Sequence, residues 1–177
     1  MTDDRDAVVA ALRSTPGDGY ELQNFPIELP VTVFGGFYGF GPRAMRPPLP
    51  SLGLRPPPLF AHFERPDGRE PHGVSKMAAM FESEKHATAA AQDLARTARG
   101  ILVAEDAPDL VDIDPVPLGD EFVWGWHMTV ETQAQVRTDV GWRRGSWVLN
   151  LLSWSRTIPV RRETIEMAVG FDHAVMH

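Results

Sequence analysis

The chain contains no cysteine, which removes a disulfide framework, a thiolate nucleophile and any Cys-ligated zinc, haem or iron–sulfur centre. Lysine is nearly absent as well: of the 17 basic residues only Lys76 and Lys85 are lysines, the rest being arginine, whose planar fork pairs with carboxylates and is never neutral. No apolar run approaches the length of a membrane-spanning helix. The formal net charge is −7, so the broad basic surface required for phosphate-backbone or anionic-lipid binding is missing. Residues 42–72 carry a local excess of arginine over acid of only two, too small to alter that reading. The first residues, Met1-Thr2-Asp3-Asp4-Arg5-Asp6, are acidic and lack the basic and apolar regions of a leader, which sets the expectation of a cytoplasmic protein without membrane insertion and without nucleic-acid partners.

What is abundant is proline, and it is unevenly spread. Nine of the 16 prolines fall between Pro42 and Pro71, including Pro47-Pro48 and Pro56-Pro57-Pro58. Such a run excludes helix and internal strand and favours extended polyproline-type backbone. It is not a polar linker, because Met45, Leu49, Leu52, Leu54, Leu59 and Phe60 are interspersed. Just before it stands Gly35-Gly36-Phe37-Tyr38-Gly39-Phe40-Gly41, where glycines permit close backbone approach and aromatic rings supply anchors. Pro42 follows and no helix opens there, which excludes a phosphate-binding loop. An expected division follows: residues 1–58 form a short helix and a Pro/Gly/aromatic extended arm, and residues 59–177 form the compact domain.

Within the compact part, periodicity marks the elements. Phe60–Phe63 and Val74–Phe81 read as strands around the Pro66-Asp67-Gly68 turn. Ser83 is placed to cap a helix whose apolar side is mostly alanine, with Ala87, Ala91, Leu94 and Ala98 at helical spacing and Gly100 as its expected end. Phe122–Val130 alternates cleanly, with Trp124 and Trp126 on one side and His127 and Thr129 on the other. Val136–Trp142 and Trp147–Trp154 form a hairpin for which a turn at Arg144-Gly145 predicts Trp142 opposite Trp147 and Val140 opposite Leu149. Pro159 opens a last helix with Met167, Ala168, Phe171 and Val175 on its apolar side. Upstream, residues 2–14 read as a helix and Ile27–Phe34 as an edge strand or extended segment, because of Pro26 and Pro30. The pattern predicts an α+β fold, an antiparallel sheet with helices packed on one face.

The Met80-Phe81-Glu82-Ser83 step into an alanine-rich helix, the Leu118-Gly119-Asp120 lead-in to a strand, and the hairpin Val140-Gly141-Trp142-Arg143-Arg144-Gly145-Ser146-Trp147-Val148 before a final helix resemble the sensor-type domains of actinobacterial lipoproteins and kinase ectodomains. The resemblance covers residues 74–177 and implies domains that bind rather than catalyse. The chain departs from that pattern in having no lipid-attachment cysteine and no disulfide pairs.

Candidate chemistry is sparse. No nucleophile elbow and no metalloprotease motif is present, and the expectation is a protein without metal or cofactor. His173 and His177 are spaced i, i+4 at the chain's last residue, where solvated histidines are the usual outcome. Asp109, Asp112 and Asp114 lack the glycine and terminal glutamate of a calcium loop. His62 and His72 flank the same turn and can approach each other across a hairpin, near Glu64 and Glu70. Two functional readings result. The first is a non-enzymatic binding or assembly protein whose arm packs on a partner protein or a second copy through Phe34, Phe37, Tyr38, Phe40, Arg43, Arg46, Leu52 and Leu54. The alternative is a small-ligand protein or enzyme with a tryptophan-lined cleft, in which His127 is the acid/base and Asp139 or Arg137 on the neighbouring strand is the group that orients it.

Overall fold

A computed structural model of the chain describes residues 5–28, 53–55, 57–104, 109–130, 135–156 and 159–176. Its elements run α1 (Arg5–Arg13), β1 (Glu21–Glu28), β2 (Leu59–Glu64), β3 (Gly73–Met80), α2 (Glu84–Ala104), β4 (Val111–Asp112), β5 (Glu121–Val130), β6 (Gln135–Arg144), β7 (Trp147–Ser155) and α3 (Arg161–Met176). The strands form a single antiparallel sheet in the order β1-β2-β3-β7-β6-β5-β4. The α+β class expected from periodicity is the observed one.

The helices occupy both faces rather than one. On the first face, Ala61, Phe63, Val74, Val140, Trp142, Leu149 and Leu151 meet Val8, Ala11 and Leu12 of α1 and Ala168, Phe171 and Val175 of α3. On the second, Phe60, Met77, Ala79, Trp124, Trp126, Met128 and Val148 meet Ala87, Ala90, Ala91 and Ala98 of α2. The central strands β3 and β7 are buried along almost their whole length, so both of their faces are apolar and each needs its own cover. Alanine on α2 lets its backbone approach the bulky tryptophans closely. Gly141 of β6 belongs to the same economy of space: a Cβ there would lie 2.1 Å from the Trp124 ring.

The α1 helix and the segment leading to β1, grouped by the sequence with the arm, contribute to the first core through Val8, Ala11, Leu12 and Tyr20, and β1 pairs with β2 as an edge strand. β1 spans residues 21–28, taking in the first two residues of the segment expected to be an edge strand or extended, and its pairing is interrupted by register shifts around Asn24 and Ile27, next to Pro26. A proline at that point removes a ladder donor, which an edge strand tolerates. Residues 29–34 lie outside the described residues.

Two further local expectations are corrected. The β6–β7 hairpin turns at Gly145-Ser146, so that Arg144 opposes Trp147, Trp142 opposes Leu149 and Val140 opposes Leu151. Gly145 takes φ +56°, the conformation that Arg144 would have had to adopt in the expected register. Because the shift is two residues along one strand, the same side chains still share a face. α2 runs through Gly100 to Ala104, and Ser83 Oγ accepts the His86 amide at 3.3 Å at its start, as a cap should.

Candidate functional site

The five tryptophans do not line a common cleft. Trp142 and Trp147 belong to the first core, Trp124 and Trp126 to the second, each at most 4% exposed. Only Trp154 is partly exposed and borders a groove. Nor are His127 and Asp139 brought together. His127 pairs with Thr138 across β5 and β6, on the face that carries Val140 and Trp142. There its Nδ1 is buried without a hydrogen-bond partner among the described residues, and burial, then the positive charge of Arg161, lower its pKa despite an opposing effect of Asp109. Asp139 points to the other face, where it accepts hydrogen bonds from Trp124 Nε1 at 3.0 Å, Arg137 Nη2 at 3.0 Å and Asn150 Nδ2. Strand alternation separates the two side chains by the thickness of the sheet. Arg137 stays with Asp139, as a buried ion pair.

Of the residues expected to contact a partner, Phe34, Phe37, Tyr38, Phe40, Arg43, Arg46 and Leu52 lie outside the described residues. Leu54 is described, and it turns inward. It forms an antiparallel bridge with Phe81 and packs against the α2-side core. Backbone hydrogen bonds on either side, Arg55 N to Met80 O and Glu82 N to Gly53 O, both 2.9 Å, fix it there.

Two concavities carry polar chemistry. The first, about 330 Å³, lies between the end of α1, the β2–β3 turn and α3, and is bordered by Tyr20, Arg65, Lys76, Glu163, Glu166 and Phe171 among others. Lys76 is 1% exposed in the middle of β3. Its ammonium donates to Ala11 O at 3.0 Å, Ser14 O at 2.5 Å and Ser14 Oγ at 3.1 Å, and sits 5.1 Å from the Phe171 ring centre and 5.2 Å from that of Phe63. Two of these acceptors are carbonyls at the negative end of α1, where a cation is favoured. Burial nevertheless drives the Lys76 pKa down to about 7. Tyr20 donates from its hydroxyl to Pro71 O at 2.7 Å, and burial pushes its pKa up to about 12. The sequence signal for this site was a lone lysine inside Val74–Met80, an otherwise small and apolar strand.

The second concavity, about 260 Å³, is bordered by His62, Glu64, His72, Gly73, Gln135 and Trp154. Here the two histidines flanking the 66–68 turn do share one site, each with its own carboxylate. His62 Nε2 is 3.5 Å from Glu64 Oε1, and His72 Nδ1 is 3.2 Å from Glu70 Oε2. His62 Nδ1 is within 3.0 Å of Ser75 Oγ, and His72 Nε2 is 3.5 Å from Gln135 Nε2. The described residues contain no group of three or more histidines and carboxylates able to hold a metal ion. Asp112 and Asp114 pair with Arg99 and Arg161 rather than converging with Asp109.

Neither a protein-family model nor a curated protein matches the sequence. The fold does match a solved structure: the crystal structure of the extracellular domain of PknH from Mycobacterium tuberculosis shares it with a TM-score of 0.58 over 98% of this chain and 91% of that one, at 11% sequence identity. The architecture-level resemblance to kinase ectodomains carried by residues 74–177 thus extends over nearly the whole chain. The same finding corrects the cytoplasmic expectation, which rested on the acidic opening residues and the lack of a long apolar run: a solved domain with this fold is extracellular. Among the described residues no helix is long and apolar enough to cross a membrane. The chain has the fold of the PknH extracellular domain, built without cysteine.

Proposed function

We propose that this chain is a non-enzymatic protein-recognition domain acting outside the cytoplasm, and that the β1–β2 connection, residues 29–52, is its partner-contacting element. The observation that carries this reading is where the connection begins and ends. β1 stops at Glu28, opposite Leu59, and the chain is fixed again at Leu54, bridged to Phe81 directly beyond β3. Both anchors sit at the end of the sheet where β3 finishes and the β6–β7 turn lies, Phe81 N donating to Ser146 O at 2.9 Å. One end of a rigid scaffold therefore carries a long connection rich in Phe, Tyr and Arg, residue types that dominate binding energy at protein interfaces. Leu54, an expected contact residue, serves instead as its inner anchor.

The reading is tested by replacing residues 35–50 with a short Gly/Ser linker while sparing Gly53–Arg55. The variant should keep its near-UV circular dichroism and lose its protein partner or its self-association, read by native-source pull-down and by light scattering. A folded variant that retains every partner and the same mass overturns it. The extracellular placement is tested separately, by protease accessibility of the natural protein in intact cells.

A further inference from the structure

The groove beside Trp154 is a preformed aromatic and acceptor-rich site that neither core explains. His62 is held between Ser75 Oγ and Glu64, stacks parallel to Phe60 at 6.3 Å, and meets Trp154 edge-on at 5.6 Å. Gly73 adds no side chain between the two rings: a Cβ there would lie 3.5 Å from Trp154 Cε3 and 3.6 Å from His62 Cε1. The ring orientations are thus set before any ligand arrives, so little ordering remains to be done on binding.

The electrostatics of the lining point one way. Among the described residues, none that borders the groove is a lysine or arginine. Glu64 is 59% exposed and engages His62 through Oε1, which leaves Oε2 as an acceptor. Glu70, behind His72, adds a second carboxylate, whose Oε1 accepts a hydrogen bond from the Arg156 amide at 3.0 Å. Gln135 offers an amide oxygen. Aromatic rings with exposed carboxylate beside them disfavour an anion and suit a donor-only head group on an apolar stem. The chain's net charge of −7 attracts such a ligand at long range.

We propose that this groove binds an organic cation, an ammonium or guanidinium whose charged head is held by Glu64 and whose alkyl stem lies against Trp154. The chemistry is shared by a free alkylamine and by a lysine or arginine side chain of a peptide. The residues named for this groove are not among residues 29–52, so each proposal is tested by its own substitutions.

The test is calorimetric titration of the full chain with cadaverine and agmatine as free cations, with N-acetyl-lysine amide and N-acetyl-arginine amide as peptide-borne ones, and with 1-pentanol and pentanoate as neutral and anionic controls of similar stem. Cations should bind and the controls should not. E64Q should weaken binding about tenfold or more, the effect of losing one charge-assisted hydrogen bond. W154L should weaken it as well, whereas E166Q, in the other concavity, should leave it unchanged. Because Glu64 is exposed, E64Q folds, and its thermal melt verifies that. Tighter binding of the capped amino acids identifies a peptide side chain as the source, and tighter binding of the diamine identifies a free amine. The proposal is overturned if no cation binds at about 10 mM, a range weaker than ordinary specific recognition, if pentanol or pentanoate binds equally, or if E64Q binds cations as the natural chain does.

Discussion

The Lys76 ammonium donates a 3.0 Å hydrogen bond to the carbonyl oxygen of Ala11, 65 positions away, and so ties the centre of the sheet to the last turn of the first helix. With its two bonds to Ser14, all three ammonium protons are used. The geometry favours the charged form while burial disfavours it, and burial prevails, bringing the pKa to about 7 from 10.5.

That displacement has a sign that pH can read. Between about pH 7 and 10.5 the unfolded chain holds a proton on Lys76 that the folded chain has released, so unfolding free energy rises with pH, by up to about 1.4 kcal/mol per unit for one proton. Tyr20 acts oppositely and later. Its pKa is raised to about 12 in the fold, so the folded chain keeps a proton that the unfolded chain loses near pH 10, and stability falls above that point. Urea denaturation from pH 7 to 9.5 should show rising stability in the natural chain and a flat profile in K76M. Parallel profiles in the two proteins would refute the assignment.

Asp172 on α3 is 4% exposed and accepts from Trp142 Nε1 at 2.9 Å, from Gly119 N at 3.1 Å and from both Arg144 Nε and Nη2. Burial alone would raise its pKa, but the hydrogen bonds from Arg144 and Trp142, with the charge of Arg144, outweigh it and hold the carboxylate below the ordinary range. D172N removes the charge that Arg144 faces within the fold, and such a loss costs about 3 kcal/mol or more. Chemical denaturation of D172N at neutral pH should show that loss. In acid the two proteins should converge, because Asp172 contributes stability above its unfolded pKa that disappears as pH falls through the folded one.

G141A tests how tightly β6 lies under Trp124. The added methyl would sit 2.1 Å from two atoms of the indole ring, and Trp124 is itself pinned by its hydrogen bond to Asp139. The ring cannot yield without breaking that bond or displacing the alanine face of α2. Overpacking of this kind costs about 1–3 kcal/mol, and more when a hydrogen bond breaks with it. The melting temperature should drop with a changed near-UV tryptophan signal, whereas G170A, at an open position on α3, should raise stability by the helix propensity difference of about 1 kcal/mol.

The strands were legible because alternation over Phe122–Val130 and Trp147–Ser155 survives any shift by two residues, and so does the face each side chain occupies. The register was not, because a dipeptide turn can be centred on Arg144-Gly145 or Gly145-Ser146 with the same pattern, and only the demand of φ +56° for glycine decides. Two-sided burial was missed because Lys76 on the first face and Asp139 and Asn150 on the second interrupt the apolar pattern with polar groups that look solvent-facing in sequence, yet Lys76 Nζ, the Asp139 carboxylate and Asn150 Nδ2 all bond internally. His62 and His72 were readable as neighbours from the turn between them. Trp154 and Gln135, which complete that groove, come from strands far along the chain, and pairing across β3–β7 and β6–β7 is what brings them in.

Leu54 separates the anchored end of the arm from the rest. Its side chain packs against the α2-side core and its backbone neighbours hold Met80 and Glu82. L54A should therefore reduce stability by about 1–2 kcal/mol, the range for removing a partly buried leucine side chain from apolar contact, read as a shift in denaturation midpoint at constant slope. F37A lies within residues 29–52 and, if that connection serves a partner, should leave the midpoint unchanged while weakening complex formation. A large stability loss in F37A, with none in L54A, would mean that the aromatic run closes the core and that the anchor has been assigned to the wrong end of the connection.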